Sequence, residues 1–174
     1  MLVNLSDVLM TEGKQISMEV PLEMTCFESG MGSFEITEKS PVSLIFTNVE
    51  RGKAKAEGSI ELTFRTACDR CLTEVMTTLK LQFERVVAAP EIAVEDEDMD
   101  DLSFMEGYQL NVETFVYNEI IGNWPAKILC KEDCAGLCPV CGQNRNVRDC
   151  GCDTFVPDPR MAVIQDIFNA NKEV

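Results

Sequence analysis

Histidine is absent from this 174-residue chain. Its absence excludes Ser-His-Asp and Cys-His nucleophile systems, HExxH zinc proteases and any general base built on imidazole. It also restricts how the chain could hold zinc, because imidazole and thiolate are the usual protein ligands of that ion. Any zinc site must therefore be made mainly of cysteine, of which the chain has nine.

Basic residues and long apolar runs are also scarce. The chain has 15 lysines and arginines against 30 acidic residues, which gives a formal net charge of −15. A uniform surface with this charge repels nucleic acid, so a basic partner protein is the better default. No apolar run approaches the roughly 18 residues of a membrane span, and residues 1–7 lack the pattern of a secretory signal. We therefore expect a cytoplasmic protein with no membrane partner, whose cysteines are metal ligands or reactive thiols rather than disulfides.

Residues 1–90 have the pattern of a β-rich body. Apolar residues alternate with polar ones in several runs, and a period of two is typical of strands with one buried face. The positions that keep the period of two in these runs are Met18, Val20, Leu22, Val42, Leu44, Phe46, Ala54, Ala56, Gly58, Ile60, Leu62, Phe64, Val75, Thr77, Leu79, Leu81 and Phe83. The pattern predicts an α+β protein built on an antiparallel β-sheet or partly open barrel, with a few helices.

Two later segments are distinguished by composition. Residues 91–107 are predicted to form an acidic loop or linker, because residues 95–101 are acidic at every position but one. Residues 130–174 are predicted to form a small Cys-rich, zinc-ribbon-like module and a C-terminal helix. Asp158-Pro159 suits the start of that helix, since Asp is a good N-cap and Pro fits the first turn.

Residues 108–129 are predicted to complete the body with a helix and a strand. The helix is expected over residues 111–122, with Asn111 as its N-cap and Pro125 preventing its extension through Trp124. A helical spacing of three and four residues is followed by Val112, Phe115, Val116, Glu119 and Ile120.

The strongest chemical signal is the run Cys138-Pro139-Val140-Cys141-Gly142. Two thiolates separated by two residues can bind one metal ion, and the glycine permits the tight turn that follows. Cys150-Gly151-Cys152 follows after a segment just long enough to reverse direction. The spacing predicts a first Cys₄ site made of Cys138, Cys141, Cys150 and Cys152, holding a structural zinc ion.

Two further cysteine pairs leave the number of sites open. Cys68 and Cys71 lie between two predicted strands, and Cys130 and Cys134 precede the first site. These four could form a second site that bridges the sheet to the C-terminal segment. Alternatively, Cys130 or Cys134 could replace Cys150 or Cys152 in the first site.

The Cys68–Cys71 pair also has the spacing of a thiol-disulfide oxidoreductase. That chemistry needs the first cysteine at a helix N-terminus beside a strand, where its pKa falls. Both neighbouring runs here are predicted strands, which disfavours redox catalysis.

Several basic residues surround the cysteine segment, and among them Arg145, Arg148 and Arg160 are candidates for contact with RNA or a partner. An equal number of acids in residues 123–160 makes an ordinary mixed-charge surface the simpler interpretation.

The order of these motifs resembles the YceD family, the large ribosomal RNA subunit accumulation proteins. The resemblance runs over most of the chain, including Asn4-Leu5-Ser6-Asp7, Cys68-Asp69-Arg70-Cys71-Leu72 and Glu119 before Trp124-Pro125. Its most specific part runs from Leu129 through Cys138-Pro139-Val140-Cys141-Gly142-Gln143-Asn144-Arg145-Asn146 and Cys150-Gly151-Cys152 to Asp158-Pro159-Arg160-Met161. Arg145 and Asn123-Trp124-Pro125 depart from the more apolar residues usual in the family, which affects local packing only.

The resemblance implies a cytoplasmic protein needed for the accumulation or processing of large-subunit (23S) ribosomal RNA, with no catalytic motif to transfer. We therefore expect a non-enzymatic ribosome-biogenesis factor without a small-molecule substrate. Its expected partners are the pre-ribosomal large subunit, ribosomal RNA or a basic ribosomal protein. The alternatives are a thiol-disulfide oxidoreductase using Cys68 and Cys71, or an acidic adaptor or chaperone for a basic ribosomal protein.

Overall fold

The computed structural model describes residues 1–93 and 103–153. This part of the chain forms nine strands and three helices. They are β1 (Leu2–Asn4), α1 (Ser6–Met10), β2 (Gln15–Val20), β3 (Cys26–Ser29), β4 (Gly32–Lys39), β5 (Val42–Glu50), β6 (Lys53–Ala67), β7 (Glu74–Ala88), α2 (Pro90–Ala93), β8 (Met105–Glu106), β9 (Gln109–Asn111) and α3 (Val112–Asn123).

The main sheet is antiparallel and centred on β6. One edge of β6 pairs with β7 over its full length, from Lys53 opposite Ala88 to Ala67 opposite Glu74. Its other edge pairs with β5 in the first half and with β4 in the second half. The outermost strands are β2, which pairs with β5, and β3, which pairs with β4. The predicted antiparallel β-sheet protein with a few helices is thus confirmed.

Strands β4 and β5 run in the same direction along one edge of β6 and are separated at Ser40-Pro41. Proline has no N–H to give to the ladder, so continuous pairing with β6 ends there. Ser40 restores it locally, because its N–H donates to the carbonyl of Glu61 at 2.9 Å and its hydroxyl accepts from the N–H of Glu61 at 3.0 Å.

The buried face of the sheet packs against α1 and α3. In β5, Val42, Leu44 and Phe46 are fully buried, and their neighbours in sequence are more exposed, as a period of two requires. The largest fully buried side chains are Phe27, Phe46, Phe64, Phe115, Leu5, Leu9, Leu44, Leu62, Leu110 and Ile120.

Helix α3 forms where the sequence predicted it. The Asn111 side chain accepts from the N–H of Thr114 at 3.3 Å, and the helix ends at Asn123. The five residues of the predicted stripe are all buried, including the carboxylate of Glu119. Glu119 is compensated by Arg85 of β7, whose Nε donates to Oε1 at 2.8 Å. A second, three-stranded sheet in the order β1-β9-β8 leads into this helix.

The β3–β4 strands and the aromatic cluster that covers them were not predicted from the sequence. There the Trp124 ring lies 4.7 Å from Phe34, 5.1 Å from Phe64 and 5.2 Å from Phe27, measured between centroids.

Part of the predicted organisation lies outside the described residues. This applies to residues 94–102 of the predicted acidic linker, to the predicted C-terminal helix and to Arg160. The described ends of the linker contain α2 and β8. Among residues 1–93 and 103–153, no helix is both long and apolar enough to cross a membrane.

Candidate metal centres

Cys68, Cys71, Cys130 and Cys134, predicted above as the second site, form a cluster that we call the first because it begins earlier in the chain. Its four Sγ atoms lie within 4.8 Å of one another. The Sγ atoms of Cys68 and Cys134 are 3.7 Å apart, and those of Cys71 and Cys130 are 3.5 Å apart. Three of the four residues are buried, and Cys130 is exposed. The cluster therefore joins the β6–β7 turn to the C-terminal segment, 59 residues or more away in sequence.

The β6–β7 turn places the first two sulfurs. The N–H of Cys68 donates to the carbonyl of Thr73, and the N–H of Leu72 donates to the carbonyl of Cys68, both at 2.9 Å. The Thr73 hydroxyl lies 3.2 Å from the Cys71 sulfur. Because β6 and β7 pair up to Ala67 and Glu74, this turn is held by the rigid end of a long hairpin.

Polar contacts hold the C-terminal segment against this turn. The N–H of Asp69 donates to the carbonyl of Ile128 at 2.9 Å, and the Asp69 carboxylate accepts from the N–H of Ile128 at 2.7 Å. Arg70 donates from Nη1 to the carbonyl of Cys134 at 2.9 Å, and its own carbonyl accepts from the N–H of Leu137 at 3.0 Å. Cys130 and Cys134 are thereby positioned beside the hairpin.

Cys138, Cys141, Cys150 and Cys152 form the second cluster, again with all four Sγ atoms within 4.8 Å of one another. Cys138 is buried, Cys141 is exposed and the other two are half-buried. Gly142 has φ +74° and donates from its N–H to the carbonyl of Cys138 at 2.9 Å. The glycine after the second cysteine thus makes the tight turn that the sequence predicted.

The thiols of the first cluster titrate very differently. Burial raises the pKa of Cys68, but backbone N–H groups of Cys130, Arg70 and Cys71 outweigh it and lower that pKa to about 6. Although Cys130 is exposed as a residue, desolvation of its sulfur and the neighbouring thiols of Cys71 and Cys134 raise its pKa to about 12. A bound cation would offset the repulsion between thiolates held this close together.

The thiol pKa values of the second cluster differ from one another in the same way. Backbone N–H groups of Cys141 and Val140 lower the pKa of Cys138 to about 6. The neighbouring thiols of Cys141 and Cys150, together with burial, raise the pKa of Cys152 to about 12.

The structure brings the predicted cysteines together in two groups of four. These are the two sets named from the sequence, and the alternative in which Cys130 or Cys134 enters the other set is not the arrangement found. Cys26 lies apart from both, with its sulfur 3.0 Å from the Ser33 hydroxyl. Arg145 and Arg148 are exposed, and neither has an ion-pair partner among the described residues.

Two asparagines beside the clusters escaped the sequence analysis. Asn146 donates from Nδ2 to the Cys134 sulfur at 3.3 Å, and Asn144 donates from Nδ2 to the Thr73 hydroxyl at 3.3 Å. An Asn-x-Asn motif between two cysteine pairs was the available signal, because short amide side chains in such loops commonly bond to nearby backbone or ligand atoms.

These features define an antiparallel β-sheet protein with two four-cysteine clusters that could each hold a metal ion. The family described as large ribosomal RNA subunit accumulation protein YceD matches residues 56–168, more than half of the chain. The chain therefore belongs to the YceD family, which confirms the resemblance seen in the sequence. The family name points to involvement with large-subunit ribosomal RNA. No curated protein and no solved structure gave a match.

Proposed function

We propose that this protein is a non-enzymatic, cytoplasmic factor that supports accumulation or processing of large-subunit (23S) ribosomal RNA. In this proposal each cysteine cluster holds one structural zinc ion. The observation that carries it is the assembly of eight cysteines into two sets of four in a chain of the YceD family.

The donor sets fit zinc. Four sulfurs at about 2.3 Å from a tetrahedral ion lie about 3.8 Å from one another. In the first cluster, the Cys71–Cys130 and Cys68–Cys134 sulfur distances of 3.5 and 3.7 Å and the 4.8 Å limit on all pairs agree with that size. Four thiolates leave no open position for substrate, so the ions would be structural.

The local fold also supports a structural metal. Within residues 125–153 the buried apolar side chains are those of Ile128, Cys134 and Cys138. The only backbone pairing of strand type there is the bridge between Leu137 and Asn144. So small a core does not stabilise a segment of this length, whereas zinc bound to four thiolates does. This is the sense in which the module is zinc-ribbon-like.

The proposed contact surface lies beside the two cysteine clusters and includes Leu72, Arg145 and Arg148. Arg145 and Arg148 are exposed and free of ion pairs among the described residues, so they are available for phosphate groups, and we include Arg160 with them. Leu72 is 67% exposed, and its neighbour Thr73 contacts Asn144, which is adjacent to Arg145. Arginine and an exposed apolar side chain together suit unpaired nucleotides, which offer phosphates and flat base faces.

Charge reversal tests this surface. The double variant Arg145→Glu/Arg148→Glu should reduce co-sedimentation with large-subunit precursors, because it replaces attraction for phosphate by repulsion. Arg51→Glu is the matched control. Arg51 precedes the start of β6, whereas the first cluster follows its end. At 3.3 Å per residue, this strand is about 45 Å long. Unchanged co-sedimentation of the double variant would overturn the contact surface, and salt-resistant binding to a basic ribosomal protein without RNA would favour the adaptor.

Elemental analysis tests the metal. Protein purified under reducing conditions without chelator should contain two zinc ions per chain. One ion would leave one cluster unexplained, and none would contradict the structural role. The oxidoreductase alternative requires a fast-reacting thiol, yet Cys68 is fully buried and Cys71 nearly so. We therefore expect their alkylation in the folded protein to be slower than that of a free thiol.

A further inference from the structure

The loop between the two halves of the second cluster lies against the first cluster. This loop, residues 142–149, packs along residues 134–138. Arg145 donates from its N–H to the carbonyl of Gly136 at 2.9 Å, and Leu137 bridges to Asn144. Residues 134–138 carry one ligand of each cluster, Cys134 at one end and Cys138 at the other.

Asn146 connects this loop directly to a first-cluster sulfur. Its Nδ2 donates to the Cys134 Sγ at 3.3 Å and to the Asn144 Oδ1 at 2.9 Å, while its Oδ1 accepts from the N–H of Ala135 at 2.9 Å. An N–H donor aimed at a ligand sulfur orients that sulfur and stabilises the charge it carries when it binds a metal ion. Asn146 is thus a positioning residue for that ligand.

Asn144 reaches a second first-cluster sulfur through Thr73. Its Oδ1 accepts from both the N–H and the Nδ2 of Asn146, each at 2.9 Å, which leaves its own Nδ2 for the Thr73 hydroxyl. That hydroxyl lies 3.2 Å from the Cys71 sulfur. In this structure the Cys71 thiol donates to the hydroxyl. Once Cys71 binds metal as a thiolate it has no proton to give, and the Thr73 proton can then donate to its sulfur.

The position of the loop depends on the second cluster. Its ends are next to Cys141 and Cys150, both members of that cluster. The loop has little apolar anchorage of its own, since Val147 is 80% exposed. A metal ion in the second cluster would fix both ends and so reduce the entropy lost when Asn144 and Asn146 are placed.

We propose that the two clusters bind metal cooperatively, and that Asn144 and Asn146 transmit the coupling. This inference rests on the proposed function of the clusters as metal sites. Occupation of the second cluster raises metal affinity at the first, and by linkage the first raises affinity at the second by the same factor. Outer hydrogen bonds of this kind typically change metal affinity by about 10-fold to 100-fold, which is the coupling expected here.

Cobalt(II) titration of the reduced, metal-free full chain tests the coupling, with thiolate-to-cobalt absorbance as the signal. Cys150→Ser/Cys152→Ser isolates the first cluster, and Cys68→Ser/Cys71→Ser isolates the second. The coupling factor is the product of the two binding constants in the unmodified chain divided by the product of the isolated constants. We expect a factor of about 10 to 100. Far-UV circular dichroism verifies that the β-sheet is retained in every variant.

Asn146→Ala and Asn144→Ala/Asn146→Ala should bring this factor close to one, while the matched control Gln143→Ala in the same loop should leave it unchanged. A factor near one in the unmodified chain would overturn the proposal. So would a factor that survives loss of both asparagines. These failures differ from failure of the proposed metal function, in which one or both clusters would not bind cobalt at all.

Discussion

Leu72 and Gly142 occupy equivalent backbone positions in two Cys-x-x-Cys turns. Each follows the second cysteine, each has positive φ (58° and 74°), and each donates from its N–H to the carbonyl of the first cysteine at 2.9 Å. Glycine adopts this conformation freely, but an L-residue with a side chain pays roughly 1 kcal/mol or more for it. Leu72 is the only non-glycine residue with positive φ in the described part of the chain. Its side chain is 67% exposed, so little packing offsets this strain.

Replacement of Leu72 by glycine should leave the free energy of unfolding unchanged or raise it by up to about 1 kcal/mol. Relief of backbone strain is partly offset by the greater entropy of glycine in the unfolded chain. Urea unfolding of the metal-loaded protein measures this. Leu72→Val should lose about 1–2 kcal/mol instead, because a β-branched residue tolerates positive φ poorly. A loss of more than about 1 kcal/mol for Leu72→Gly would show that the leucine packs on the turn.

The same Leu72→Gly variant should bind large-subunit precursors more weakly, since it removes apolar contact from the proposed surface without unfolding it. Co-sedimentation measures this binding. Met31→Gly is the matched control: Met31 is comparably exposed but lies in the β3–β4 turn. Equal binding by both variants would assign Leu72 no part in recognition.

Gly136→Ala should destabilise the protein more than Gly107→Ala. Both glycines have similar positive φ, 72° and 64°, so both substitutions introduce backbone strain of about 1 kcal/mol. At Gly136 an added Cβ would also lie 3.1 Å from the carbonyl oxygen of Arg70, whereas at Gly107 nothing lies within 4 Å. The close approach of this segment to the β6–β7 turn should add about 1 kcal/mol. Equal losses in urea unfolding would mean that the segment moves aside without cost.

Much of the fold follows from sequence pattern. Counting the cysteine pairs also named both sets of four, but it left open whether Cys130 or Cys134 belongs to the other set. The long alternating runs of β6 and β7 and the stripe of α3 are local signals, because each position reports only which face of its own element is buried. The pairing of Cys68 with Cys134 depends on where residues 66 positions apart meet, and spacing within each cysteine pair contains no such information. The roles of Asn144 and Asn146 were hidden for the same reason, since their partners Thr73 and Cys134 belong to the other cluster.

Tyr108 should titrate at higher pH than an ordinary tyrosine. Its hydroxyl donates to both carboxylate oxygens of Glu91, at 2.8 and 2.9 Å, and this bond, with burial and the carboxylate charge, raises the pKa of Tyr108. A raised pKa favours the protonated form in the folded state. The resulting stabilisation is complete below the ordinary tyrosine pKa of about 10 and is lost as the pH rises through the folded value.

The tyrosinate absorbance band measures this titration. The chain has two tyrosines, so a Tyr117→Phe background isolates the signal of Tyr108. Glu91→Gln in that background should lower the pKa, because the hydroxyl then loses its charged acceptor. An unaltered titration curve would show that the contact with Glu91 is not maintained in solution.

Removal of metal should disorder the cysteine segment and leave the main sheet intact. The N–H groups of Leu137, Cys138 and Arg145 all bond within or beside the clusters, in a segment with almost no apolar core. The ladder between β6 and β7 is instead supported by the buried residues of the body. Hydrogen exchange after chelation under reducing conditions should therefore accelerate at those three amides and remain slow at Ile60 and Leu62, which serve as the internal control. Because zinc binding and folding are one equilibrium in such segments, restoring zinc should restore protection. Slow exchange at the three amides in the metal-free protein would mean that the hydrogen bonds from Arg70 and Asp69 hold the segment without any ion.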